Sequence, residues 1–159
     1  MPAAVSCALE GPDKGQPIAT WEKAGVARVG GREFPASERG RQGFLLMPAG
    51  RFGPAFIATE NFYVLKAYNE SDLYALFIGH LADRMRGGKP FAGTWGEVDK
   101  LNRLAVRQMQ ERLEKRGVDV GGADGLVGFR TRVAVGVWQA DNGLSPTCYP
   151  DSRLVGKVR

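Results

Sequence analysis

The sequence predicts an α+β protein, mainly helical, in which a mixed N-terminal piece precedes a small three-helix module. Three observations carry this expectation. From residue 60 onward, apolar residues recur at helical spacing in several separate stretches. Residues 17–58 instead hold short apolar runs closed by Gly and Pro, as strands and turns do. Between the two regimes, Lys89-Pro90-Phe91-Ala92-Gly93-Thr94 reads as a linker.

Taken in order, residues 1–16 are turn-rich and patternless, and the expectation is a poorly ordered start. Residues 21–35, broken by Gly25, Gly30 and Gly31, read as one or two small hairpins. Phe44-Leu45-Leu46-Met47, ended by Pro48 and Gly50, reads as a buried strand. Thr59 is placed to cap a helix over residues 60–68 with Phe62 and Leu65 on one side, and Asn69 and Glu70 break it. Ser71 is a good N-cap for the next helix, with Asp72 in its first turn, where a helix favours negative charge. Leu73, Leu76, Phe77, His80 and Leu81 follow at helical spacing, with Ala75, Ile78 and Ala82 opposite them. That helix is apolar nearly all round, so it is expected to be buried, and it needs more protein around it than residues 1–70 supply. His80 reads as a packed helix residue.

Beyond the linker, Leu101, Ala105, Met109 and Leu113 step by four along a helix that stops at Gly117. Asp124-Gly125 and Gly128 form a compact turn system. Thr131 is the expected cap of a second helix carrying Ala134, Val137 and Trp138, ended by Gly143. Asp151 starts a short last helix with Leu154, Val155 and Val158.

A chain of 159 residues holds one domain or two small ones. Its net charge of +5 comes from 22 basic and 17 acidic residues spread evenly on both sides of Pro90. With no basic block and no interleaved aromatic-basic motif, nucleic acid is not the expected partner. Cys7 and Cys148 lie at opposite ends; a disulfide between them is open, and nothing in the sequence requires one. With His80 as the sole further soft ligand, no metal and no cofactor site is implied. Residues 119–124 lack the alternating carboxylates and terminal Glu of a calcium loop. No signal peptide opens the sequence as written; Ala4-Val5-Ser6-Cys7 resembles a lipoprotein cleavage site only without the apolar stretch before it. No window has the apolar length of a membrane span.

The C-terminal motifs form a pattern: Val106-x-x-Met109-Gln110-x-x-Leu113, Gly117, Asp124-Gly125-x-x-Gly128-x-x-Thr131, Ala134, Val137-Trp138-Gln139 and Gly143-Leu144. It resembles the peptidoglycan-binding domain at the ends of many wall hydrolases, assigned here to residues 95–159. Gln110 and Gln139 occupy equivalent places in two half-repeats, each placed to bond turn backbone. Asp124, Gly125, Gly128, Thr131 and Gln139 are the candidate module residues, expected to set the turn more than to touch ligand. One departure is Thr147-Cys148, where the family often has a second Asp-Gly.

Upstream, Trp21-x-x-x-Gly25-Val26, Phe34-Pro35, Leu46-Met47-Pro48-Ala49-Gly50, Gly53-Pro54-Ala55-Phe56 and Asn61-Phe62 appear in order. Tyr68-Asn69-x-Ser71-x-x-Tyr74-Ala75, His80-Leu81-Ala82-Asp83-Arg84 and Gly87-Gly88 follow. Together they resemble the C-terminal part of the catalytic domain of lytic murein transglycosylases of the membrane-bound B type, over residues 17–90. The resemblance implies non-hydrolytic cleavage of the muramic acid–glucosamine bond, giving 1,6-anhydro-muropeptides, in the periplasm or cell envelope. That reaction needs a glutamic acid still protonated near neutrality. The family carries it in a Glu-Ser motif on a helix well before the region matched here, and the one Glu-Ser pair of this sequence, Glu70-Ser71, falls at a position that does not match that acid. No catalytic residue is therefore assigned, and the chain is expected to bind peptidoglycan without cleaving it alone. The alternative is one half of a split enzyme that needs an upstream catalytic chain. The resemblance gives Tyr68, Asn69 and Tyr74 substrate-binding roles in the glycan groove. On residue chemistry alone, Tyr74 fits a helix core and Asn69 a helix end.

Overall fold

The computed structural model describes residues 1–158. Three short strands form an antiparallel sheet in the order β1-β2-β3: β1 is Gln16–Pro17, β2 Gln42–Leu46 and β3 Phe56–Ala58. β2 is central, with Phe44, Leu45 and Leu46 opposite Ala58, Ile57 and Phe56. Leu45 and Leu46 are buried, as the apolar run predicts. No described helix is long and apolar enough to cross a membrane.

The hairpins expected over residues 21–35 are absent. Ile18–Lys23 forms a short helix, α1, and the chain then runs as loop to residue 35. The reason is the buried pair Ile18 and Trp21, three apart on one helical face. The Trp21 ring lies in the core, and its Nε1–H donates to the Gly43 carbonyl at 2.9 Å. Gly25, at φ +83°, closes the helix, while the Val26 N–H reaches back to Trp21 O at 2.9 Å. A helix of six residues is too short to show a period in the sequence.

The poorly ordered start is likewise corrected. Val5, Cys7 and Glu10 are buried, and Cys7–Leu9 makes a turn of 3-10 helix. Cys7 is disulfide-bonded to Cys148, 141 residues away. Arg51 donates to the carbonyls of Pro2, Ala3 and Val5. Partners so distant in sequence leave no local pattern.

α2 (Glu60–Tyr68) and α3 (Asp72–Met85) pack together. The Ser71 hydroxyl accepts from Tyr74 N at 3.3 Å, so the expected cap of α3 is made. The expected burial of α3 is not. Ala75 is its one fully buried residue, whereas Leu73, Phe77, Leu81 and Met85 form an exposed stripe of every fourth residue.

The module comprises α4 (Arg103–Glu114), α5 (Phe129–Asp141) and α6 (Ser152–Lys157) around Val106, Met109, Leu113, Val120, Ala134, Val135, Leu154 and Val158. Asn102 and Asp151 cap α4 and α6 through their side chains, at 2.8 and 2.6 Å. Thr131 does not cap α5; Gly128 holds the N-cap position, and Thr131 lies buried one turn inside. Val137, an expected core residue, is 38% exposed, and Val135 takes the inward place.

Candidate functional site

The module is docked against the N-terminal piece, and one buried side chain organises the seam. Arg132 of α5 points its guanidinium at Glu10, with Nη2–Oε1 at 2.6 Å and Nε within 3.1 Å of both carboxylate oxygens. The same Nη2 donates to Asp72 Oδ2 at 2.9 Å, and Lys66 pairs with Asp72 Oδ1 at 2.6 Å. Glu10 also accepts the Met47 N–H at 2.8 Å. Burial pushes the Glu10 carboxyl above its ordinary value, against the pull of Arg132. Asp72 moves the other way: burial opposes its charge, but Lys66 and Arg132 together hold its carboxyl below the usual range.

A buried glutamate biased toward its protonated form is what a glycosidic-bond acid requires. Glu10 fails on geometry. Its side chain is 0% exposed and both oxygens are bonded to Arg132, so no glycosidic oxygen reaches it. Glu10 and Arg132 are seam residues that sequence reasoning missed. Arg132 left a signal, since it shares a helix face with Val135 and Gly136, both buried.

Between the α2–α3 corner and the module's loop and first turn of α5 over residues 120–132 lies a cleft of about 1100 Å³. Lys66, Glu70, Ser71 and Asp72 line one wall, and Asp124, Gly125, Gly128 and Thr131 line the other. Four of the five candidate module residues are thus brought together. Tyr68, Asn69 and Tyr74 occupy the same α2–α3 corner beside this cleft, outside its lining. Tyr68 is 85% exposed, and its ring lies 6.5 Å from that of Tyr74 with planes 28° apart. Asn69 Oδ1 accepts the Ser71 N–H at 3.1 Å, which turns the chain between the two helices.

The module turn is held from beneath. Gln110, fully buried, accepts the Gly125 N–H at 2.7 Å and donates to Leu126 O and Thr131 Oγ1 at 2.9 and 3.0 Å. Thr131 in turn donates to Val120 O at 3.1 Å. Asp124 accepts the Leu126 N–H at 2.8 Å. Gly125 sits at φ +79°, and a Cβ there would collide with the Arg103 carbonyl.

Gln139 repeats the device away from the cleft. It accepts from Thr147 N at 2.8 Å and Cys148 N at 3.3 Å, and donates to Thr147 Oγ1 at 2.8 Å. Cys148 stands at φ +55°, the left-handed backbone that glycine supplies in the first turn. Its disulfide to Cys7 gives this turn a second function, fastening the N-terminal segment.

The sequence profile of the transglycosylase SLT domain matches residues 1–83, and that of a putative peptidoglycan binding domain matches residues 102–157. Two solved structures are similar along the whole chain. Both are SltB3 from Pseudomonas aeruginosa, one in complex with NAG-anhNAM-pentapeptide and one with NAG-NAM-pentapeptide. Each is 36% identical to this chain, with TM-scores of 0.84 and 0.85 respectively. The alignments cover 100% of this chain and 43% of the SltB3 chains, so it spans less than half their length. No curated protein sequence matches this chain.

Proposed function

This chain belongs to the transglycosylase SLT domain family, and we propose that it holds peptidoglycan without cleaving it alone, as the C-terminal part of a lytic murein transglycosylase of the membrane-bound B type. The observation that carries this reading is the fixed seam. Arg132 sets the module's loop against the α2–α3 corner, so both walls of the cleft form one continuous surface. The SltB3 structures were solved with disaccharide–pentapeptide fragments, which supports peptidoglycan as the polymer held here. In this reading Tyr68 and Tyr74 offer flat ring faces and hydroxyls to sugars, and Asn69 hydrogen-bonds the glycan. Asp124, Gly125, Gly128, Thr131 and Gln139 shape the module beneath that surface.

Cleavage needs an acid that this chain lacks. The one Glu-Ser pair, Glu70-Ser71, does not fall where the family places its acid, and Glu10 is locked to Arg132. The working place is the periplasm or cell envelope; the Cys7–Cys148 disulfide fits an oxidising compartment. Co-sedimentation with purified sacculi tests the binding. The chain should pellet with them, and a chain that stays in the supernatant at moderate salt contradicts the proposal.

A second reading, a split enzyme completed by an upstream catalytic chain, is favoured by the bare stripe of Leu73, Phe77, Leu81 and Met85. A chain carrying the remaining catalytic region should co-elute with this one and restore release of anhydro-muropeptides. Independent elution of the two would remove that reading.

A further inference from the structure

Positive charge is spread evenly along the sequence, but not over the surface. A second cleft, of about 1050 Å³, opens between the loop after α1, the turn before β3 and the chain that leaves α3. Arg28, Arg32, Arg51, Arg86 and Lys89 line it, against the single carboxylate of Asp83. Among the described residues, none of these five cations forms an ion pair with a carboxylate. Arg51 is occupied by backbone carbonyls. Arg28 and Arg32 each give one N–H to a nearby carbonyl, at 3.1 and 3.4 Å, which leaves most of each guanidinium for a ligand. Phe91 supplies an apolar wall, its ring 3.8 Å from His80 and 5.3 Å from Phe56. The first cleft is the opposite case, with Lys66, Arg103, Arg130 and Arg132 balanced by Glu70, Asp72, Asp99 and Asp124.

We propose that this second cleft binds the peptide stem of peptidoglycan through its free carboxylates. The inference rests on the reading that the chain holds peptidoglycan, and it names the part held here. A glycan of N-acetylated sugars is uncharged once the muramyl lactyl group is amidated by the stem, so it has no use for unpaired cations. The stem carries several free carboxylates separated by alanine methyls. Guanidinium groups take carboxylates in paired hydrogen bonds, and the Phe91 wall takes the methyls. A nucleic-acid strand matches the cleft less well. Stacked bases need open aromatic faces, and Phe91 already packs against His80 and Phe56.

The test titrates the full chain, followed by amide NMR, with four probes: a synthetic stem pentapeptide, its carboxamide form, a peptide-free N-acetylglucosamine tetrasaccharide, and a single-stranded oligonucleotide. The free-acid peptide should shift resonances of residues 28–32 and 86–91. The carboxamide peptide should bind about tenfold more weakly, as should R28Q/R86Q with the free-acid peptide, its circular dichroism unchanged. Equal binding of acid and carboxamide peptides, shifts confined to the 120–132 loop, or tighter binding of the oligonucleotide would overturn the inference. Sacculi co-sedimentation run in parallel separates the two levels. If the chain pellets but the peptide leaves this cleft untouched, the inference fails and the proposed function stands; if the chain does not pellet, the proposed function itself fails.

Discussion

The seam between the two pieces and the outer face of α3 are built on opposite principles. The seam buries an Arg, a Glu and most of an Asp, joins them by short hydrogen bonds, and adds a disulfide across 141 residues. The outer face of α3 leaves Leu73, Phe77, Leu81 and Met85 in solvent. The contrast teaches that the join between the two pieces is closed, while the outer face of α3 presents an apolar surface that lacks a cover among the described residues.

Breaking the seam should produce the largest effects. Arg132→Ala leaves Glu10 buried without its cation, a loss of about 3–5 kcal/mol measured by urea unfolding. A paired Glu10→Met/Arg132→Met chain should recover most of it, because the cost lies in the stranded charge. Cys7→Ser removes the long cross-link and should cost about 2–5 kcal/mol. Adding Cys148→Gly to that variant should return about 1 kcal/mol, since glycine relieves the positive φ that the disulfide no longer requires.

Gln110→Ala strips the buried partners from Gly125, Leu126 and Thr131, and a loss of about 1–3 kcal/mol is expected. Acid titration probes the seam more finely. The Asp72 carboxyl sits below its ordinary value of 3.8, so its stabilisation is present above that pH and is lost as pH falls through the folded value. Glu10, raised above 4.5, has the opposite sign: its contribution is greatest below that pH and falls away as pH rises through the folded value. Asp72→Asn should therefore reduce the acid loss of stability below pH 3.8, read as a flatter unfolding midpoint against pH. The smallest effect is expected on the open face. Phe77→Ser should change stability by no more than about 0.5 kcal/mol, because Phe77 is 61% exposed.

Much of this architecture was legible in the sequence. Periodic apolar residues place α3 and α4, a continuous apolar run places β2, Ser71 reads as the cap it is, and Asp151 reads as the start of α6. Gln110 and Gln139 read as equivalent turn-holders because they occupy matching places in two half-repeats, where an amide can bond turn backbone. Features that depend on distant partners were not legible. Glu10 sits in a segment without period and finds Arg132 122 residues later. Thr131 looked like a cap because it precedes an apolar helix, yet Gln110 and Val120 use its hydroxyl inside the core. The α3 stripe was apolar enough to predict burial, but burial depends on what covers a helix, and sequence periodicity does not report that.

The evenness of charge along the chain was equally misleading as a guide to surface. Folding collects unpaired cations into the second cleft, and pairs Lys66, Arg130 and Arg132 of the first with carboxylates. Charge patterning in a sequence describes a surface only when one element carries the whole patch.

Binding of the wall without its cleavage is tested directly by one measurement. Purified chain is incubated with intact sacculi, the pellet is assayed for protein, and the supernatant is searched by mass spectrometry for 1,6-anhydro-muropeptides. The account predicts protein in the pellet and no anhydro product. Anhydro-muropeptides released by this chain alone would contradict it.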